Sequence, residues 1–448
     1  MNIPGASASP VFRFFDRVRD SFWAIPIGLL LSAGLLAIIT LWLDTHPYLS
    51  NKFGQVLGMD FESLSNIRSL LSTTAAAILG VAGVSFSITI ASLTLASQQF
   101  GPRLIRTFIR NRFIQTVLGV FIATFLYCML TMQLSSTFGE ESYRPVVTVT
   151  TVLLLTLLNL VLLVLFIHHI CVAIQVDSVI DEVVEEMYQR ASLIFSEEVD
   201  NNSDCSEKAV NELSDLFTMS SEKIRSTQDG YITLINYSEL IKWAQAHDAK
   251  INVLNRAGDY VLTGSEILQI SADQPLAKEF GPVENLITIT SIRTPEQDLE
   301  YTIRQLVEIA LRALSPGIND PFTAMTCIDR LGSLINFIGN RSLPPKVLAD
   351  SDGVQRLLID QTSYQSLVDA SFNQLRQNSR HHVDVSLRLL ETLTKIVSLC
   401  ESQVQAEELT KQADLVIEGS ASDSFLEHDI RALNERYESF TNALNRRF

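Results

Sequence analysis

Four apolar runs dominate the first 170 residues: Phe22–Leu43, Leu70–Ala96, Phe113–Leu134 and Val146–Ile167, none containing Asp, Glu, Lys or Arg. A helix needs about twenty such residues to cross the hydrocarbon core, so each run predicts a membrane span. Trp23 and Trp42 bracket the first run as interfacial aromatics do, and Pro26 falls near its start, where a missing amide proton matters little. The fourth run predicts a helix that emerges through His168, His169, Cys171 and Gln175 towards the acidic stretch Asp181–Glu186.

The second run has a different texture. Between Ser72 and Ser97 it carries nine Ser and Thr residues, with Gly80 and Gly83. Small residues let membrane helices approach closely, and hydroxyls bond across a helix pair or back to their own carbonyls. Helical spacing also puts Ser85, Thr89, Ser92 and Ala96 on one stripe, beside an apolar stripe of Phe86, Ile90 and Leu93. Repeated around an oligomer axis, that pair of stripes would supply a conduit with an apolar constriction. Both readings, helix packing and pore lining, stand at this point. Arg103, Arg106, Arg110 and Arg112 follow as a cationic inner mouth or as contacts to anionic headgroups.

Beyond residue 175 the periodicity changes. Residues 175–228 read as a helical connector. From Gly230 the pattern predicts strands at Tyr231–Ile235, Lys250–Leu254, Asp259–Leu262 and Leu286–Thr290, a short helix at Tyr237–Ala246, and turns at Gly258 and Gly264. The segment RAGDYVLTGSEI predicts a strand, a tight turn and a second strand. A helix is predicted to begin at Pro295 and to break at Pro316-Gly317, with Asn319 or Asp320 capping the next helix and Pro321 at its first position. A strand-like piece, Val354–Leu358, precedes four further helices.

Charge separates the same two regions. Residues 1–175 carry seven acidic and ten basic side chains, a balance of +3, and the remainder carries 43 and 24, a balance of −19. Such an acidic body argues against nucleic-acid binding. Arginines cluster before the first span (Arg13, Arg17, Arg19) and between the second and third, whereas the other two links hold only Lys52, Arg68 and Arg144. The bias predicts both termini in the cytoplasm.

Chemistry is sparse. The five cysteines lack CxxC spacing, and the pairs His168-His169 and His381-His382 are adjacent rather than four apart, so neither metal nor cofactor is expected. His381 and His382 sit in a basic patch with Arg376, Arg380 and Arg388. Phosphate-loop, metalloprotease, serine-hydrolase and dinucleotide signatures are absent. The densest polar group is Arg293, Gln297, Asp298, Arg304, Asn319 and Asp320, read either as a structural network or as a small-ligand or anion site.

The stretches ASQQFGPR and LVEIALRALSPGINDPFTA, with Gly230-Tyr231-Ile232, Arg293-Thr294 and Gln297-Asp298, resemble a bacterial family of membrane proteins of unknown function, DUF2254. The resemblance implies an integral membrane location and carries no catalytic residues with it. The expected architecture is a four-helix transmembrane region with cytoplasmic termini, followed by a cytoplasmic α+β module and a mainly helical C-terminal domain. Its boundaries are 1–21 for an N-terminal segment, 22–174 for the membrane domain, 175–228 for the connector, 229–294 for the α+β module and 295–448 for the helical domain. The expected function is an oligomeric inner-membrane ion channel or pore, tilted towards anions by the arginines and carrying a cytoplasmic assembly or regulatory domain, with lipids, inorganic ions and further copies of the chain as expected partners. A membrane-anchored sensor or scaffold is the alternative, and a membrane enzyme ranks below both.

Overall fold

The computed structural model describes residues 24–46, 64–101, 111–135, 145–195, 203–219, 221–272, 283–421 and 425–448. The chain divides into two compact units between Ser178 and Val179. Arg13, Arg17, Arg19, Trp23, Lys52, Arg103, Arg106, Arg110 and Arg144 lie outside the described residues.

The first unit contains four helices long and apolar enough to cross a membrane: α1 (Ala24–Asp44), α2 (Leu64–Phe100), α3 (Arg112–Ser135) and α4 (Val146–Ala173). Helix α2 has 37 residues, about 55 Å at 1.5 Å per residue. It therefore outruns both the predicted span and a hydrocarbon core of about 30 Å, and its polar ends carry Arg68, Gln98 and Gln99. Helix α3 is the hub, packed against α1, α2 and α4. Its Gly119 lets α1 come close: a Cβ there would overlap the Leu29 side chain and stand 3.1 Å from the Pro26 Cα. One apolar cluster joins Ala37, Leu71, Ala75, Ala123 and Val149, and a second joins Ile78, Ala82, Val117, Phe121 and Phe166.

In hydrocarbon a polar group has no water to fall back on, and several polar side chains of the bundle pair internally. Thr40 Oγ1 lies 3.0 Å from Tyr127 Oη, and Asn159 Nδ2 donates to Thr124 Oγ1 at 2.9 Å. Asn111 accepts the Phe113 amide on Oδ1 and meets His169 Nε2 at 2.9 Å through Nδ2. Buried Asp44, the last residue of α1, accepts the amides of Val147 (2.8 Å) and Thr148 (3.0 Å). A carboxylate from one helix thus caps the N-terminus of another, where its charge also suits the helix dipole.

The second unit begins within α5 (Val176–Ile194), which buries Ile180, Val183, Met187 and Ala191 along one face. After α6 (Ser203–Met219) come β1 (Glu222–Arg225), β2 (Gly230–Ile235), α7 (Tyr237–Ala246), β3 (Ala249–Val253), β4 (Tyr260–Val261), β5 (Glu266–Ala272) and β6 (Ile287–Thr290). Helices α8 (Leu299–Ala313) and α9 (Pro321–Gly339), strands β7 (Val347–Ala349) and β8 (Gln355–Ile359), and helices α10 (Tyr364–Asn378), α11 (Val383–Leu399), α12 (Gln403–Ala421) and α13 (Glu427–Arg447) complete it. One sheet runs β1-β5-β3-β8-β7 and another β4-β2-β6; only the β3–β8 pair is parallel. Ile232, Leu240, Ile251, Leu268, Ile270 and Leu357 share the core between them.

Three expectations change. Strands β4 and β5 flank the predicted turn, at Gly264 (φ +89°), but do not pair with each other; they enter different sheets. Residues 229–294 share the larger sheet with β1, β7 and β8, because Arg356 on β8 ties that strand to its hairpin turn (Nε to Asp350 Oδ2, 2.8 Å) and to the end of α7 (Nη1 to Asp248 Oδ1, 2.8 Å). Helix α8 starts at Leu299 rather than at Pro295, because Asp298 is its cap.

Removing the Asp44 carboxylate orphans two buried amides. Asp44→Ala is expected to destabilise the membrane unit by about 1–3 kcal/mol, read as a lower unfolding temperature of the full chain in detergent; an unchanged temperature would remove the cap from the account.

Candidate functional site

Helix α2 has two opposed faces. Ile67, Leu71, Ala75, Ile78, Ala82, Ser85, Thr89, Ser92, Ala96 and Phe100 recur every three or four residues and are all buried. The four candidate conduit residues Ser85, Thr89, Ser92 and Ala96 therefore lie on the side turned into the protein, with Ser85 only 1% exposed. The Thr89 hydroxyl donates back to the Ser85 carbonyl at 2.9 Å, while the buried Ser85 Oγ has no hydrogen-bond partner. Of the neighbouring apolar stripe, Phe86 and Ile90 are about half exposed and Leu93 is partly buried. Arg112, the one described arginine of the predicted inner mouth, is exposed at the start of α3.

On the opposite side Thr73, Ala76, Ala77, Gly80, Gly83, Ser87, Ala91 and Thr94 are exposed. A Cβ added at Gly80 or Gly83 would meet nothing within 4 Å. Ser87 and Thr94 turn their hydroxyls back to the Gly83 and Ile90 carbonyls, both at 2.9 Å. Leu79, Val84, Ile88 and Leu95 of α2 are exposed on either side of that stripe, while α1 shows Leu31, Leu35 and Ile38, and α4 shows Leu154, Leu157, Val161, Val164 and Leu165. Bulky aliphatics suit lipid tails, whereas Gly, Ala, Ser and Thr are enriched where helices meet.

In the second unit the predicted polar group separates. Arg293 Nε donates to Asp298 Oδ2 at 2.5 Å and Nη2 to Oδ1 at 3.1 Å, while Asp298 Oδ1 also accepts the Tyr301 amide as the cap of α8. Gln297 acts like a strand residue, accepting the Ile235 amide (2.9 Å) and donating to the Ile235 carbonyl (3.1 Å). Arg304 sits one turn on, 3.7 Å from Glu300, which also accepts from Arg256 at 2.8 Å. Burial opposes charge on Arg293, but hydrogen bonding and attraction to Asp298, with Glu300 and Asp259, outweigh it and hold the guanidinium above its ordinary value. Asn319 and Asp320 belong to the turn at the far end of α8. Asn319 takes a left-handed conformation (φ 52°), and Asp320 caps α9 by accepting the Thr323 amide at 3.1 Å. Among the described residues no three His, Cys, Asp or Glu side chains gather as metal ligands would.

The comparisons with known proteins agree with this architecture. Residues 19–395 match the family described as "Predicted membrane protein (DUF2254)". The chain belongs to DUF2254. Uncharacterized proteins of Mycobacterium tuberculosis and Mycobacterium bovis are 26% identical to this DUF2254 chain over 429 residues, covering 93% of it and 79% of theirs. No solved structure matches. This DUF2254 member is a multi-pass membrane protein with a large folded region after its spans.

Several contributors lay outside the sequence expectations. Asp44 sits one residue past the predicted end of the first span, and a lone carboxylate flush with an apolar run was the available signal. Glu300, four residues before Arg304, was visible as a helical ion pair. Gly258 gave no sign of its role: with φ +100° it lies against the Arg293–Asp298 pair, and a Cβ there would collide with the Asp298 carboxylate.

Gly258→Ala is accordingly expected to destabilise the second unit by about 2–4 kcal/mol, combining backbone strain with disruption of a partly buried ion pair. Gly264→Ala shares a positive φ but has open space around it, so it should cost less. Equal urea midpoints for the two variants would show that the ion pair does not depend on Gly258.

Proposed function

We propose that this DUF2254 protein is a homo-oligomeric channel or pore of the bacterial inner membrane, assembled around the exposed small-residue face of α2. The observation that supports it is the stripe Gly80, Gly83, Ser87, Ala91 and Thr94 along the uncovered side of α2, flanked by exposed Leu79, Val84, Phe86 and Ile90. Small side chains permit close helix packing about an axis, and their hydroxyls offer polar atoms to a passing ion. On this reading Ser85, Thr89, Ser92 and Ala96 pack the protomer, and the conduit is assigned to the opposite stripe with Phe86 and Ile90 beside it. The arginine bias of the sequence supports cytoplasmic termini and an acidic body inside the cell. Arg103, Arg106, Arg110 and Arg112 then flank the inner mouth and favour anions.

One observation supports the scaffold alternative. A groove of about 520 Å³ lies between α12 and the end of α13, lined in part by Ala406, Leu415, Leu444 and Phe448. It offers an apolar seat for a protein partner.

Purified protein in liposomes, with chloride and potassium gradients imposed separately, tests the channel reading. Ser87→Leu and Ala91→Leu are expected to lower flux by roughly an order of magnitude by occluding a narrow conduit, with the protomer still folded. Absence of flux in the wild type under voltage, tension and pH challenge would contradict the proposal, as would full flux in both variants.

A further inference from the structure

One end of the second unit carries exposed apolar and basic side chains, and a short stretch of chain joins the unit to the last membrane-length helix. Helix α5 begins at Val176, with two residues between it and the end of the last membrane helix at Ala173. Asp181 is thus eight residues from a membrane-spanning segment, at most about 28 Å even if fully extended and about 12 Å if helical.

Side-chain contacts extend this placement to other elements. Arg330 Nη2 donates to Asp181 Oδ1 at 2.9 Å, the Tyr188 and Phe337 rings lie 5.0 Å apart, and Arg341 Nη1 reaches the Phe195 carbonyl at 3.4 Å. Rising numbers on both helices mean that α5 and α9 run side by side in the same direction. Helix α11 follows the same direction: Thr392 Oγ1 donates to Asp329 Oδ1 at 3.3 Å and its methyl group packs against Gly332, while Gln405 Nε2 beyond α11 donates to the Gly339 carbonyl at 3.2 Å. The starts of α5, α9 and α11 therefore share one end, with the α8–α9 and α10–α11 turns.

That end carries Phe322, 76% exposed, and Ile318, 44% exposed, on either side of the Asp320 cap. The other turn supplies Arg380 and His381, both exposed, beside half-buried Arg376 and His382. No acidic residue occurs from Ala370 to Val383, although Asp369 and Asp384 flank that segment and the start of α5 brings exposed Asp177, Asp181 and Glu182 to the same end. Arg376 Nε is buried with no hydrogen-bond partner. Burial and the neighbouring Arg380 push the Arg376 guanidinium below its ordinary value, against the pull of Asp369 and Glu418. Added negative charge would relieve that crowding.

We propose that this end docks on an anionic bilayer surface, with Ile318 and Phe322 entering the boundary between headgroups and acyl chains and the Arg376–His382 segment contacting the headgroups. Aromatic and aliphatic side chains supply the apolar part of such binding, and each cation near an anionic surface adds to it. The docking does not require α2 to line a conduit.

The test uses the full chain in phosphatidylcholine liposomes, with and without phosphatidylglycerol. Exposed Cys171 is first replaced, together with Cys205 (Cys171→Ser, Cys205→Ser), and an environment-sensitive fluorophore is placed through Phe322→Cys, Ile318→Cys or Val404→Cys. Ile318→Cys leaves the Phe322 ring in place. Val404 is 70% exposed at the other end of α9, next to the Gln405–Gly339 contact. Lipids bearing a nitroxide on the upper acyl chain are expected to quench the labels at 318 and 322 several-fold more than the label at 404. Phosphatidylglycerol should deepen that quenching, and Arg380→Glu should remove the increment. Equal quenching at all three positions would overturn the proposal, as would cross-linking of 322 to a second chain without lipid quenching.

Discussion

The membrane unit depends on α3, against which α1, α2 and α4 all pack. Without water between helices, association rests on close van der Waals fit and internal polar pairing. Ala75, Ala82 and Ser85 keep the α2 ridge low, and the bulkier Val117 and Phe121 of α3 meet it near Ile78. The polar pairs Thr40–Tyr127, Thr124–Asn159 and Asn111–His169 then fix α1 and α4 around the same hub. Asp44 closes the arrangement by binding the end of α1 to the start of α4. Once the inner face of α2 is committed in this way, only its outer face remains for anything else.

That outer face gives the molecule its asymmetry. Helix α4 exposes long aliphatic side chains without glycine, and α1 mixes Leu31, Leu35 and Ile38 with Gly28 and Gly34. Gly80 and Gly83 on α2 leave backbone uncovered with open space above it. A neighbouring helix fills such a surface well, and a second copy of the chain brings the same stripe to the axis of a symmetric assembly. Channel activity, in the reading offered above, is one consequence of that assembly.

Much of this architecture was legible from residue patterns. Four uncharged apolar runs became four helices because run length and the absence of charge decide a span locally. Asp320 followed by Pro321 announced the start of α9 for a similarly local reason: a cap and a preset φ act within one turn. Helical spacing also found the Ser85–Ala96 stripe. It could not say which stripe faces inward, since α2 carries small residues on both sides and the choice is made by α3, far along the chain. Long-range pairing hid the larger sheet in the same way: β8 joins β3 across a hundred residues, held by Arg356 to Asp350 and Asp248. The polar segment from Arg293 to Asp320 looked like one constellation in sequence and is divided by the length of α8.

The most direct test of the opposed faces of α2 is oxidative cross-linking in native membranes. Single cysteines would be placed at Gly80, Ser87 or Ala91 on its outer face, at Ser92 on its inner face, and at Leu157 on the uncovered face of α4, in a background lacking Cys171 and Cys205. The account predicts disulfide-linked dimers from positions 80, 87 and 91, and none from 92 or 157. Dimers from 92 or 157, with the outer-face positions remaining monomeric, would contradict it.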